Sequence, residues 1–243
     1  MDLGIEGKVA ICAASSKGLG FATALALGEE GVKVVINGRD PATLAEAAAK
    51  ISSTGATVYA FPGDITKPEF PGQLVRAAFE RFGRLDIAVA NAGGPPSGGS
   101  LSVSELALKK AMDDNLFSSI RLIKVAFNEM RVKNWGRIVA ISSYSIKQPI
   151  PSLSLSNTAR TGLWAWMKTA AKDITTDYPG ITLNMVCPGI HETDRIKELK
   201  GDISGPIGNP LDFGKVVSFL CSQQAKFING AAIVVDGGET LAL

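Results

Sequence analysis

Residues 8–20 read KVAICAASSKGLG. Lys8–Ala13 is a short apolar run, the pattern of a strand buried on both faces. Ala14-Ser15-Ser16-Lys17-Gly18-Leu19-Gly20 follows, and helical spacing then runs from Leu19 to Glu30 and stops at Gly31. A strand, a glycine turn and a helix in that order leave free backbone N–H groups and partial positive charge at the helix mouth. That is a ready cradle for a phosphate. Gly18 and Gly20 let the backbone come close to a pyrophosphate. The strict GxGxxG spacing is absent, so the pair alone marks only a tight turn. Its meaning depends on the rest of the chain.

The same alternation continues outward. Short apolar runs at Lys33–Ile36, Thr57–Phe61, Asp86–Ala90, Arg137–Ile141, Thr182–Val186 and Ala231–Val235 read as further strands. Helical patterning covers Pro41 to about Ser53, Pro68–Phe82, Ser104–Lys133, Leu155–Asp177 and Pro210–Ser222. Strands apolar on both faces that alternate with helices predict a parallel sheet covered on both sides. The expected fold is therefore α/β: a Rossmann-type doubly wound parallel sheet of seven strands in three α/β/α layers, one domain over residues 1–243. Ligands in such a sheet sit beyond the carboxyl ends of the strands, so chemistry is expected in the loops after strands one, four, five and six.

Composition narrows the function classes. The chain has 243 residues, 46% hydrophobic and 20% charged, which are globular values. A net charge of +2 with no run of like charges gives no reason to expect a nucleic-acid partner. The apolar stretches are strand-sized, so no membrane span is expected. Met1–Lys8 carries two acids and no apolar core, unlike a secretory signal. Cys12, Cys187 and Cys221 are widely spaced in apolar runs, and His191 is the sole histidine. That pattern predicts buried thiols, no metal site and a reducing, cytoplasmic location.

The segment after the second strand reads Asn37-Gly38-Arg39-Asp40. An acid ending that strand holds the ribose hydroxyls of NAD. Here Asn37 is neutral, Arg39 suits a 2′-phosphate, and Lys17 adds a second cation in the phosphate loop. These residues favour NADP(H) over NAD(H).

Taken together, the motifs resemble those of the short-chain dehydrogenase/reductase family, most of all its 3-oxoacyl-[acyl-carrier-protein] reductase branch. The family's TGxxxGxG loop corresponds to Ala13–Gly20, which implies cofactor contacts from Ala14, Ser16, Lys17, Gly18, Leu19 and Gly20. The resemblance further implies an adenine contact at Asp64-Ile65, an NAG turn at Asn91-Ala92-Gly93, and a catalytic helix asparagine at Asn115. It implies a catalytic serine at Ser143, cofactor contacts at Pro188, Gly189 and Thr193, and a closing DGG at Asp236–Gly238. Assembly as a homotetramer or homodimer is implied too, with Ala231–Val235 and the Ser156 helix as expected contact elements.

Two departures stand out. Ala14 replaces the loop's first glycine, a mild change if its φ is negative. The family's YxxxK pair falls on Ser156 and Arg160, within LSNTAR at 155–160. A serine hydroxyl is a far weaker acid than a tuned phenol, and arginine holds its protons near neutral pH. Ser156 and Arg160, four apart on a helix, form a face that donates hydrogen bonds and holds an anion but relays protons poorly. Arg160 also stands where the family's lysine meets the cofactor. Substitute acids are Tyr144, with Lys147 to tune it, and His191 near the expected substrate mouth. Each also reads as a plain loop residue. Of Trp164 and Trp166, one is expected in the core and the other outward. Ile190–Gly208 is expected to form a mobile cover. The sequence thus points to an NADP(H)-dependent oxidoreductase for a small ketone-like or 3-oxoacyl-like carbonyl or alcohol, with an atypical active site. The competing reading is an NADP(H)-binding sensor or scaffold that has lost turnover.

Overall fold

The computed structural model describes residues 1–194, 196 and 205–242. Seven strands form one sheet: β1 Val9–Cys12, β2 Lys33–Gly38, β3 Val58–Pro62, β4 Ile87–Ala90, β5 Gly136–Ile141, β6 Ile181–Pro188 and β7 Ala232–Val235. Their spatial order is β3-β2-β1-β4-β5-β6-β7, and every neighbouring pair is parallel. The chain builds outward from β1 to β3, then returns to lay β4 on the other side of β1. That reversal opens a crevice at the carboxyl ends of β1 and β4, the place where a doubly wound sheet takes a ligand. The expected fold is the one observed.

Two cores flank the sheet, as the strand period of two demands. Val9 and Ile11 point into a core with Leu74, Leu122, Met167 and Leu183. Ala10 and Cys12 point the other way, into a core with Leu27, Leu44, Phe213 and Val217. Helices α1 Gly18–Glu29 and α2 Pro41–Ser52 therefore cover one face, and α3 Phe70–Phe82 covers the other. Pro41 at the first turn and the Asp40 carboxylate accepting from Thr43 N–H start α2 cleanly. All three cysteines are buried and free, and burial pushes the Cys187 and Cys221 thiols up to about 12. Among the described residues, no helix is long and apolar enough to cross a membrane.

The helical pattern over Ser104–Lys133 is observed, but not as one regular helix. The chain forms α4 Glu105–Ala111, a π-helical turn Met112–Phe117, α5 Ser118–Met130 and a short 3-10 turn, Arg131–Lys133. Side chains compete for the backbone here. Asn115 Nδ2 donates to Ala111 O, Ser118 Oγ to Asp114 O and Ser119 Oγ to Asn115 O. Such back-bonding loosens the i→i−4 ladder without disturbing the apolar period that the sequence displays. The tryptophan expectation is also corrected. Trp164 and Trp166 are both half-buried against the same core, flanking α6 Ser154–Ile174 rather than splitting between inside and outside.

Helix α7, Pro210–Leu220, packs directly on α1, the helix that carries the phosphate loop. Gly214 permits the approach, since a Cβ there would meet the Ala22 carbonyl oxygen at 2.4 Å. Gly214→Val is expected to cost about 1–3 kcal/mol through overpacking. Urea unfolding of the two proteins measures it, and an unchanged midpoint would refute the close α1–α7 contact.

Candidate functional site

The loop between β1 and α1 is tied on both sides. Ser15 N–H donates to Asn37 O at 2.7 Å, and Ser15 Oγ–H donates to Cys12 O at 2.6 Å. Asn91 Nδ2 donates to Ala14 O at 3.1 Å. Asn37 is 1% exposed, and its amide nitrogen donates to Phe61 O and Gly63 O at 3.1 and 3.0 Å. Its Oδ1 accepts from Ala14 N–H at 3.4 Å. Asn37 thus joins β2, β3 and the loop, and Asn91 joins β4 to the loop. Both line the crevice, but their amides serve the backbone.

Ala14 departs from expectation. Its φ is +45°, so the mild case of negative φ does not hold. Gly18 has φ +61° and open space on its α-carbon, apart from Thr193 at 3.8 Å. Gly20 is required by proximity: a Cβ there would meet Ala14 O at 2.5 Å and Asn91 Nδ2 at 2.8 Å. Lys17 precedes α1 in extended conformation, and no side chain caps the first turn. The helix mouth therefore presents its N–H groups to the crevice.

A cleft of about 780 Å³ runs from this loop across the carboxyl ends of the strands. Ala14, Ser16, Lys17, Gly18, Leu19, Gly20, Arg39, Asp64 and Ile65 line one end. Arg39 and Lys17 are exposed. Burial works against the Asp64 charge, but the Thr66 N–H and hydroxyl, with Arg39 and Lys67 nearby, hold its carboxyl below the usual range. Asn91, Ala92, Gly93, Pro188, Gly189 and Thr193 line the middle. Ser143, Tyr144, Ser156 and Arg160 line the far end, with Ile150 and Leu153 as apolar neighbours. The glycine-rich loop after β4 forms part of the rim: Gly98 pairs with Leu153, and Ser154 Oγ donates to Gly98 O at 2.7 Å.

At that far end, Arg160 Nε donates to Ser156 Oγ at 3.1 Å and Nη1 to Ile141 O at 3.2 Å. Ser143 Oγ accepts from Ser145 N–H at 3.1 Å. Both serine oxygens thus receive a hydrogen bond, and each keeps its own O–H to donate into the cleft. Asn115 is not on the cleft wall. It is 4% exposed inside the π turn, and its buried Oδ1 has no partner. Lys147 is exposed. His191 is 4% exposed, so the surface-loop reading fails. Its Nδ1 lies 3.1 Å from Gly189 O, and its ring stands edge-on to Phe213 at 5.2 Å. Tyr144 donates to Glu239 Oε1 at 3.2 Å. Burial, together with the Glu239 and Asp236 charges, raises this phenol's pKa, opposite to the tuning by Lys147 that the sequence suggested. Of the expected cover Ile190–Gly208, residues 195 and 197–204 lie outside the described residues. Gly38, Thr66 and Ser142, which also line the cleft, and Glu239 were given no role from the sequence. No local pattern marks Glu239, whose partner Tyr144 is 95 residues away.

The family model described as "Enoyl-(Acyl carrier protein) reductase" matches residues 13–240. "Dehydrogenase/reductase SDR family member 4" of Bos taurus is 32% identical over 247 residues, covering 97% of this chain and 88% of that protein. The L-sorbose reductase of Gluconobacter frateurii, solved with NADPH and L-sorbose, superposes with a TM-score of 0.92 at 28% identity, covering 100% of both chains. A putative short-chain alcohol dehydrogenase from Sinorhizobium meliloti 1021 superposes equally well, at 0.92 and 29% identity over 100% of both chains.

Ala14→Gly relieves a left-handed alanine and is expected to stabilise the fold by about 1 kcal/mol. In a thermal melt that is a rise of roughly 2–4 °C for a chain of this size. A lower melting temperature would contradict the strained loop.

Proposed function

Because the chain belongs to the short-chain dehydrogenase/reductase family, we propose that it is an NADP(H)-dependent oxidoreductase of a small carbonyl or alcohol. The observation that carries this reading is the continuous cleft from the uncapped mouth of α1 and Arg39 to Ser143, Ser156 and Arg160. The residues fit a phosphorylated dinucleotide. Gly20 lets α1 start tight against Ala14 O and Asn91 Nδ2, and the uncapped N–H groups of its first turn suit a pyrophosphate. Arg39 and Lys17 bring two cations beside the place a 2′-phosphate would take, and the L-sorbose reductase was solved with NADPH. When bound, the nicotinamide supplies or accepts the hydride.

The chain's own residues do the rest. Ala14, Ser16, Gly18, Leu19 and Gly20 hold the pyrophosphate end, and Asp64 with Ile65 bounds the adenine end. Pro188, Gly189 and Thr193 bound the side of the cleft beneath the substrate space. Ser143 and Ser156 donate hydrogen bonds to the substrate oxygen, and Arg160 orients Ser156 and stabilises negative charge there. Neither serine is an acid of useful strength, so they polarise the oxygen and do not supply its proton. Asn115 acts from inside the π turn and only through its surroundings. Ile150 and Leu153 favour an apolar flank on the substrate, which suits a ketone or a 3-oxoacyl chain. Assembly as a homodimer or homotetramer in a reducing cytoplasm completes the reading, in keeping with three free buried thiols.

Fluorescence titration is expected to show NADPH binding more tightly than NADH. Arg39→Ala should weaken NADPH about 10- to 100-fold, the value of a charged phosphate contact, and NADH less than about twofold. Equal losses for both coenzymes would remove Arg39 from the phosphate. NADPH oxidation over ketones, 3-oxoacyl thioesters and imines tests turnover. Tight binding with no turnover on the whole panel would instead favour a nucleotide sensor, the reading that the serine–arginine pair otherwise suggests.

A further inference from the structure

The cleft has no phenol at position 156, yet one stands on the same wall. Tyr144 opens the short 3-10 turn Tyr144–Ile146 after β5 and lines the cleft with Ser143, Ser156 and Arg160. Its hydrogen is already committed, since the hydroxyl donates to Glu239 Oε1 at 3.2 Å. The tail carrying Glu239 is fixed in place. Asp236 accepts from Gly238 N–H at 2.9 Å and from Thr240 N–H at 2.7 Å. Leu241 N–H donates to Gln148 Oε1 at 2.9 Å, which clamps the tail on the Tyr144 turn. The other carboxylate oxygen, Glu239 Oε2, is buried with no hydrogen-bond partner. An orphaned buried carboxylate oxygen is costly, and a fold that keeps one invites a functional explanation.

We propose that Tyr144 and Glu239 form the proton relay of this cleft, with the phenol oxygen accepting a substrate hydroxyl proton as the phenol passes its own proton to Glu239. The proposal rests on the oxidoreductase reading above and adds its proton path. In the alcohol-oxidising direction, the carbinol C–H bond breaks and its hydride goes to an oxidised nicotinamide dinucleotide. The substrate O–H bond breaks and its proton joins Tyr144 Oη. The Tyr144 O–H bond breaks in turn and its proton joins Glu239 Oε1. The substrate becomes a carbonyl compound and the carboxylate becomes a carboxylic acid. Glu239 is only half-buried as a residue, so that proton has an exit to water. Reduction reverses every bond and requires Glu239 to be protonated first. A phenol whose hydrogen points at a carboxylate is set to accept a proton, so the arrangement favours oxidation of a secondary alcohol. Burial and the Glu239 and Asp236 charges keep the phenol protonated beyond the ordinary tyrosine range.

Four variants and two kinds of readout test this. The chain has three tyrosines, so the alkaline absorbance difference between wild type and Tyr144→Phe isolates the Tyr144 titration. Glu239→Gln should move that titration down towards about 10. With NADP⁺ and a panel of secondary alcohols, each variant should lose about 100-fold or more in kcat, the usual worth of a general base. KM and NADP⁺ affinity should stay within about twofold, and the double variant should be no worse than the poorer single one. Glu239→Asp should restore part of the rate, and it carries the comparison if the glutamine variant does not fold. An unmoved Tyr144 titration, undiminished kcat in either variant, or no alcohol turnover by protein that binds NADP⁺ overturns the relay alone. Failure of the wild-type protein to bind NADP⁺ overturns the oxidoreductase reading and the relay with it.

Discussion

The short loop after β1 holds the site together. Three side chains converge on it: Ser15 from the loop itself, Asn37 from the end of β2 and Asn91 from the end of β4. Their hydrogen bonds hold Ala14 in a left-handed turn and aim the first turn of α1 at the crevice. The strands can carry that load because β1 lies between β2 and β4, at the point where the strand order reverses. A turn that is satisfied on both sides loses little entropy when a ligand arrives. The N–H groups at the helix mouth are already oriented, which is the preorganisation that anion binding rewards.

The rest of the cleft is arranged by charge along its length. Arg39 and Lys17 lie at one end, near the uncapped helix, and Arg160 lies at the other. Between them Asn91, Ala92, Gly93, Pro188, Gly189 and Thr193 line the cleft, with no cation among them. Glycines mark the places where backbones must touch. Gly189 backs onto Asp236, where a Cβ would meet Asp236 Cβ at 2.6 Å, and this brings the end of β6 against the tail after β7. The tail then reaches back to the Tyr144 turn. The geometry at the Tyr144 end of the cleft therefore depends on contacts between the turn after β5 and the C-terminal segment, and not on α6 alone.

The serine and arginine on α6 make sense in that setting. Arg160 gives Ser156 a hydrogen bond and keeps a fixed positive charge at the site, yet neither residue can act as a proton donor of useful strength. His191 also lines the cleft, its ring edge-on to Phe213 and its Nδ1 beside Gly189 O. What remains is a phenol on the cleft wall with a carboxylate behind it. On the proposed reading, polarisation of the substrate oxygen and movement of its proton are the work of different side chains.

The alternation of β-sized and helical periods in the sequence was enough to determine the sheet, its parallel order and the position of the phosphate loop, because hydrophobic period follows directly from backbone geometry. Arg39 was legible from its place after the second strand, and Asp64, Ser143 and Arg160 from the family resemblance; the structure sets all four along one cleft. The π turn over Met112–Phe117 was hidden because the apolar period continues through it while only the hydrogen-bond ladder slips. The sign of φ at Ala14 and the burial of His191 depend on partners that come from other strands and helices. Only the tertiary structure brought Glu239 to Tyr144, because a hydrogen bond between a turn and a tail 95 residues apart leaves no periodic trace in the chain.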